Sequence, residues 1–446
     1  MPKTCVIGAG ISGLATAWQL QQKGESCVVL EAQAEVGGAI RSRREAGFLV
    51  EEGPHSIQLN SKEIEAFLDS IPGLSDQIID ADPAANKRYI LRNGTLHAVP
   101  MQPLDLLRTS LWSLRGRLRG LMEPFIPKKK DGSEESVADC VRRRLGNELY
   151  DYAMNPLVGG IYAGNPEVLS LRYAFPKLYE LEQEHGGFIR GALTQMKAAR
   201  KGNHAPYRKR IISFKEGLGA LPNGIKRALG DSVQTNVCIE SLRSSDGKWD
   251  VTWKGQSERF DRLIVTTPAY ALSELPFERQ LQEALRTLQD IDYPPVSVLS
   301  LGFKRAQIEH PLDGFGLLVP ESERRSILGI LFPSSVFKGR APQESTLLSV
   351  FVGGERNPEY ATADTEKLLG DVLPEINALL GVSGTPHYVH HKHWPKAIPQ
   401  YKLGYAQTLE TLQRIEDNHL GLHLVGTYRN GISVTDCLTG ALSYRN

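Results

Sequence analysis

The run Gly8-Ala9-Gly10-Ile11-Ser12-Gly13 constrains this chain more than any other segment. It follows a short apolar, β-branched run, Thr4 to Ile7, and leads into Leu14 to Lys23, which reads as a helix ending near Gly24. Cys27 to Leu30 is a second apolar strand, closed by Glu31. Strand, glycine turn, helix, strand and acid make one βαβ unit suited to a dinucleotide. Gly8 permits the tight turn, Gly10 lets backbone approach a pyrophosphate, and Gly13 allows the helix to pack close to the strand. The helix N-terminus offers free N–H groups to phosphate oxygens. Glu31, 18 residues after Gly13, can accept a hydrogen bond from a ribose hydroxyl.

Composition narrows the classes around that unit. A chain of 446 residues is long enough for two or three domains. A formal net charge of +1 gives no global attraction to nucleic acid. The five cysteines are scattered without a C-x-x-C, which argues against a disulfide scaffold and fits a reducing, cytoplasmic setting. The start reads as a strand rather than a secretory signal, and no apolar run is long enough to span a membrane. His387, His390, His391 and His393 cluster in sequence, but no cysteine or acid completes a ligand set, so no metal is expected.

Further along, Gly37-Gly38 follows the acid and precedes Arg41 and Ser42, and then comes Glu51-Glu52-Gly53-Pro54-His55-Ser56. A second glycine pair here resembles the extension of flavin amine oxidases, which favours FAD over NAD. Thr95 to Lys130 interleaves arginines with Leu104, Leu106, Leu107, Leu111, Leu114, Leu118 and Leu121. Several of these fall at helical spacing, and such a basic amphipathic helix can pack between domains or lie on a membrane. Asp131 to Ser136 is a polar loop, and Ser136 or a neighbour caps a helix over Val137 to Leu145. Arg262 to Pro268 reads as a buried strand returning to the nucleotide sheet, and Leu422 to Gly426 as a last one. Val298 to Phe303, Ser326 to Phe332 and Thr346 to Val352 are candidate strands of a second sheet.

Specific pieces lie beyond the glycine fingerprint: Gly159-Gly160-Ile161-Tyr162-Ala163-Gly164, Gly314 to Pro320, Leu328 to Phe332, Ile398 to Tyr401 and Gly431 to Cys437. With Gly53-Pro54-His55-Ser56, they make the chain resemble the protoporphyrinogen oxidase family over nearly its whole length. The resemblance implies a mixed α/β and α+β fold, p-hydroxybenzoate-hydroxylase-like, with a discontinuous Rossmann-like FAD domain. On this reading residues 1–83, 208–268 and 404–446 bind FAD, residues 84–94, 160–207 and 269–403 form the substrate domain, and residues 95–159 a helical membrane-binding domain. The implied reaction removes six electrons from protoporphyrinogen IX in three rounds. Each round sends a hydride to flavin N5, and oxygen reoxidises the flavin to give hydrogen peroxide. Oxidation of coproporphyrinogen III is the alternative, followed by another amine-oxidase-type reaction or a flavoprotein without porphyrin turnover.

The same resemblance implies site residues. Non-covalent FAD would lie against Gly8 to Gly13, Glu31, Gly38, Ala39, Arg41, Gly53, Pro54, His55, Ser56, Val237, Trp394, Ile432, Ser433 and Val434. Leu318, Leu331 and Phe351 would contact the macrocycle, with Gly160 giving close backbone approach. His55 stands where the resemblance leads one to expect an arginine paired with a substrate propionate, so either a propionate raises its pKa or another base takes the carboxylate. Glu35 replaces an arginine expected before the glycine pair, and the final helix is short. Oxygen, a peripheral membrane contact, a homodimer and a haem-pathway partner are the remaining implied partners.

Overall fold

The structure is a computed structural model that describes residues 2–101, 105–129, 132–201 and 207–444. Leu104, Lys130, Asp131 and Asn446 lie outside the described residues, as do the side chains of Leu106 and Leu107. The elements that position the site are, in chain order, β1 (Lys3–Ile7), α1 (Ile11–Gln22), β2 (Ser26–Leu30), β3 (Lys87–Arg92), β4 (Thr95–Ala98), α2 (Leu114–Leu121), α3 (Asn155–Tyr162), α4 (Phe188–Lys201), β5 (Val233–Gln234) and β6 (Arg262–Val265). They continue with β7 (Val296–Lys304), β8 (Gly314–Leu318), β9 (Ile327–Leu331), β10 (Ser345–Gly353), β11 (Tyr388–Trp394), β12 (Leu422–Leu424) and α5 (Val434–Ser443).

A parallel sheet in the order β5-β2-β1-β6-β12 carries the glycine turn. Its strands are apolar on both faces because helices and loops cover both, and Cys5, Val6, Val29 and Leu263 to Val265 are fully buried. β6 and β12 come from far downstream, so the unit opened by β1 is closed by the chain's later segments, as the runs at Arg262 and Leu422 predict.

A second sheet has the order β11-β7-β10-β9-β8-β3-β4, antiparallel except where β8 meets β3. Leu299, Leu301, Leu317, Ile330, Val350 and Val352 point to one face and bury against Leu368, Val372 and Ile376 of the helix Thr365–Leu380. The strands' alternate residues face the cleft.

Two expectations change. Thr95 to Ala98 belongs not to a helical unit but to β4, paired with β3 from Arg92↔Thr95 to Tyr89↔Ala98. The cause is Asn93-Gly94, both at positive φ (51° and 72°), which makes a tight two-residue hairpin. The leucines from Leu111 to Leu121 do not share one helix face either. Leu111 and Trp112 turn inward onto Ile90, and a new helix, α2, starts on Ser113, whose Oγ accepts from Gly116 N at 3.1 Å. Glu148 fixes that start by accepting from Ser113 N and Oγ at 2.7 and 2.6 Å. Leu114, Leu118, Leu121 and Met122 are left on the surface, as is Phe125, 77% exposed. The helix Val137–Leu145 begins as expected on Ser136, which accepts from Asp139 N. Among the described residues no helix is long and apolar enough to cross a membrane.

Candidate cofactor groove and substrate cleft

At the tip of β1 the chain turns at Gly8 (φ 99°) and enters α1 with Gly10 as N-cap. The glycines differ in what surrounds them. A Cβ on Gly13 would lie 2.1 Å from Gly8 O, so Gly13 is required by packing. A Cβ on Gly10 would meet nothing within 4 Å, so Gly10 faces an open groove. No side chain caps α1, which leaves the N–H groups of Ile11, Ser12 and Gly13 for an anion in that groove. Gly37 donates to Ala9 O at 2.8 Å and brings Gly38 beside Gly10. Arg41 Nε donates to Gly38 O at 3.1 Å. Exposed Gly38 and Ala39 therefore continue the wall begun by Gly10.

Glu31 sits at the same end, its carboxylate accepting from Ala9 N at 2.6 Å and Gln33 N at 2.8 Å. Val237 N donates to Glu31 O at 2.9 Å, which brings the β5 side of the sheet to the acid. Thr267 Oγ1, just past β6, is buried without a hydrogen-bond partner. An open groove, free helix N–H groups, a carboxylate and an orphaned hydroxyl fit the adenosine diphosphate half of FAD. Glu35 is exposed beyond this wall.

The loop after Glu52 lies between the two sheets. A Cβ on Gly53 would fall 2.1 Å from Ala39 O, so the loop presses onto the groove wall. Trp394 Nε1 donates to Glu52 O at 2.7 Å, fixing the indole beside this loop. The Glu52 carboxylate takes His390 at 3.1 Å, Arg43 at 3.4 Å and Lys392 at 3.5 Å. Burial pushes Glu51 up to about 7, against hydrogen bonds from Ser42 and Leu218 N that favour its charge. At the far end of the chain, Ser433 caps α5 in a reciprocal pair with Asp436, at 3.0 and 3.1 Å. Gly431 N is held by Tyr401 Oη at 3.1 Å, Ile432 packs on the core, and Val434 is buried. These contacts set the Ile432–Val434 backbone and use the Asp436 N–H in the first turn of α5.

Strand register assembles the cleft. Gly316 lies between Arg88 and Leu331; Leu318 lies between Ile90 and Gly329. Gly329 pairs with Phe351, Phe351 with Val298, Val298 with Lys392, and Val296 with Trp394. Directly paired residues share a face, so Leu318, Leu331, Phe351 and Trp394 all point to one side of the sheet. Phe351 and Trp394 pack with Val296, Val298, Leu328 and Ala163 in one apolar cluster. α3 crosses this face with Leu157, Gly160 and Ile161 exposed toward it, and a Cβ on Gly160 would lie 2.6 Å from Leu318 Cδ2.

His55 joins this face but not as a cation. Its Nδ1 lies 3.1 Å from Gly53 O, so Nδ1–H donates there, and Nε2 accepts from Ser349 Oγ at 3.1 Å. Its ring meets Phe351 edge-on with centroids 5.6 Å apart. Burial lowers its pKa to about 4; the Gly53 carbonyl opposes this and the Arg340 charge reinforces it. Burial thus disfavours the charged ring at neutral pH.

Arg88 is the residue that sequence reasoning missed. It stands exposed on β3, paired with Gly316 and so on the cleft face, its guanidinium 5.6 Å from the Phe315 ring. It forms no ion pair among the described residues. The only sequence signal was an arginine inside a strand bounded by the Asn93-Gly94 turn.

The histidine run is absorbed by packing. His391 binds Thr365 Oγ1 and Ser297 Oγ, both at 2.9 Å; His393 binds Ser297; the His387 ring lies tilted against Phe48, centroids 5.6 Å apart. Among the described residues Glu135, Cys140 and Glu182 come close enough to share an ion. Arg143 meets Glu135 at 2.7 Å and Glu182 at 3.0 Å, Arg144 meets Glu182 at 2.8 Å, and burial pushes the Cys140 thiol up. Those carboxylates are already compensated.

A family model described as flavin containing amine oxidoreductase matches residues 11–442. The chain is 33% identical over 462 residues to protoporphyrinogen oxidase 2, chloroplastic/mitochondrial, of Arabidopsis thaliana, covering 97% of this chain and 91% of that one. It is 26% identical over 456 residues to the coproporphyrinogen III oxidase of Bacillus subtilis, covering 97% and 95%. It also superposes, with a TM-score of 0.81 at 23% identity, on a crystal structure from Exiguobacterium sp. described provisionally as a protoporphyrinogen oxidase, with 99% and 97% covered. That last likeness shows a shared fold. The chain belongs to the flavin-containing amine oxidoreductase family, in the branch of the protoporphyrinogen oxidases, and it is an FAD-dependent oxidoreductase.

Proposed function

We propose that this protein oxidises protoporphyrinogen IX to protoporphyrin IX, using the cleft between α3 and the antiparallel sheet. The observation that carries this reading is the single sheet face bearing Leu318, Leu331, Phe351 and Trp394, with an unpaired Arg88 at one end. An apolar slot with a cation at its end suits a flat hydrophobic ring bearing carboxylates. Non-covalent FAD would lie along Gly8 to Gly13, Glu31, Gly38 to Arg41, Gly53 to Ser56 and Val237, with its ring between Trp394 and Ile432 to Val434. Bound there, FAD supplies a two-electron acceptor used three times, with oxygen removing the electrons as hydrogen peroxide.

The chain's own residues bind, orient and keep water out. Arg88 would hold a propionate through its fork, a role neutral His55 cannot take. Leu318, Leu331 and Phe351 would grip the ring faces and exclude water. Gly160 would let the ring pass under α3. His55 would serve as a wall and as a positioning contact for Ser349. We would divide the domains along the two sheets, which puts β4 with the substrate domain.

Exposed Leu118, Leu121, Met122 and Phe125, with Leu193 and Met196 of α4, support a peripheral membrane contact, with Arg115 and Lys128 beside them for anionic lipid. Five free cysteines, four of them buried, support a reducing, cytoplasmic compartment. Purified flavoprotein mixed aerobically with protoporphyrinogen or coproporphyrinogen tests the function by porphyrin fluorescence. Faster appearance with protoporphyrinogen is expected; faster turnover of coproporphyrinogen would move the reading to the tetracarboxylate substrate.

A further inference from the structure

The cleft width depends on how α3 is held over the sheet, and one side chain behind it, Arg356, ties it to a second element. β10, which carries Phe351, ends in a turn through Gly353 and Gly354, at φ 98° and 70°. Glu355 N in that turn donates to Ala163 O at 2.8 Å, which catches the C-terminal end of α3. The next residue, Arg356, reaches the other two parts. Its Nη1 donates to Val319 O at 2.9 Å, one residue past Leu318, and its Nη2 donates to Asn155 Oδ1 at 3.3 Å, at the start of α3. Asn155 is buried and further locked to Glu321, accepting from its N–H at 2.9 Å and donating to its carboxylate at 3.1 Å. One guanidinium thus joins α3, the end of β8 and the turn after β10.

The two glycines of α3 divide accordingly. A Cβ on Gly159 would lie 3.2 Å from Arg356 Nη2, on the side of the tether. A Cβ on Gly160 would lie 2.6 Å from Leu318 Cδ2, on the side of the cleft. Just before α3 the chain makes a π-helical turn, Tyr150–Met154, a form rare inside helices. The side-chain ties, rather than an unbroken α-helical ladder, then hold α3 in rotation.

We infer that Arg356 is a positioning residue that fixes α3 against β8 and so sets the gap in which the substrate ring lies; this rests on the reading of the cleft given above. The planar fork is what the site uses, since it must reach two acceptors on different elements at once. Arg356→Lys keeps the charge and loses the fork, and Gly159→Ala pushes the guanidinium from the other side.

The test uses holoenzyme. For Arg356→Lys the expected result is a KM for protoporphyrinogen raised about tenfold with kcat changed less than about threefold, at an unaltered flavin spectrum and Tm. Amide exchange over residues 155–162 rises while that of α1 stays as in wild type. Gly159→Ala shifts KM in the same direction. Wild-type KM and wild-type exchange in both variants overturn the inference, and so does a KM rise that comes only with loss of flavin and Tm. Failure of the wild type to oxidise protoporphyrinogen overturns the functional reading instead, and the exchange arm, which needs no substrate, still decides the tether.

Discussion

Gly160 and Leu318 approach so closely across the cleft that a Cβ on the glycine would sit 2.6 Å from Leu318 Cδ2. The neighbour is the end of a side chain, so Gly160→Ala folds by rotating Leu318 into the slot. We expect Tm to stay near wild type and kcat/KM for protoporphyrinogen to fall about tenfold, equal to about 1.4 kcal/mol of binding lost in the transition state. Leu318→Ala on top of Gly160→Ala should recover part of the loss. No change in kcat/KM for the single variant would place the substrate elsewhere.

Arg88 and His55 separate by charge. Arg88→Ala should raise KM by about ten- to a hundredfold, the cost of losing a charge-assisted pair of about 1.5–3 kcal/mol, with a smaller effect on kcat. His55→Gln should leave KM within about threefold, since a neutral imidazole contributes no ion pair. Steady-state fluorescence assays check both, and the reverse ranking would return the propionate to His55.

The pH dependence of stability follows from the same histidine. Its folded pKa of about 4 lies below the ordinary 6.5, so folding favours the neutral ring. Its contribution is whole above the unfolded value and is lost as pH falls from 6.5 toward 4, because the unfolded chain binds the proton first. The loss attached to this one group is on the order of 2 kcal/mol. Urea midpoints between pH 8 and pH 5 should therefore fall further for wild type than for His55→Gln; equal falls would mean the ring charges freely in place.

Two glycines of the turn should fail in different ways. Gly13→Ala drives a methyl into Gly8 O and should prevent folding of the βαβ unit. Gly10→Ala meets no atom, so the protein should keep its Tm as apoprotein yet purify with much less flavin. Flavin content by absorbance and apoprotein Tm by circular dichroism separate the two. Full flavin in Gly10→Ala would remove the groove from the cofactor path.

The cofactor end was legible because its parts are local: turn, helix and acid lie within Gly8 to Glu31. The cleft was less legible because its face is made by register among strands far apart in the chain. Arg88 illustrates this. Little besides its place in a strand before Asn93-Gly94 marks it among 52 lysines and arginines until β3 pairs with β8 and turns it to the side of Leu318. The Asn93-Gly94 hairpin, a strong local signal, was overridden by the run of leucines that follows. Those leucines keep helical spacing, but Ser113 and Glu148 restart the helix and split the stripe into an inward part and an exposed part.

The most direct test of the central claim is anaerobic mixing of the purified holoprotein with protoporphyrinogen IX, followed at the flavin absorbance near 450 nm (roughly where oxidised flavins absorb). The account predicts bleaching within the turnover time, return of the band on admitting oxygen, and porphyrin fluorescence in the same sample. A flavin that stays oxidised with saturating protoporphyrinogen would contradict it.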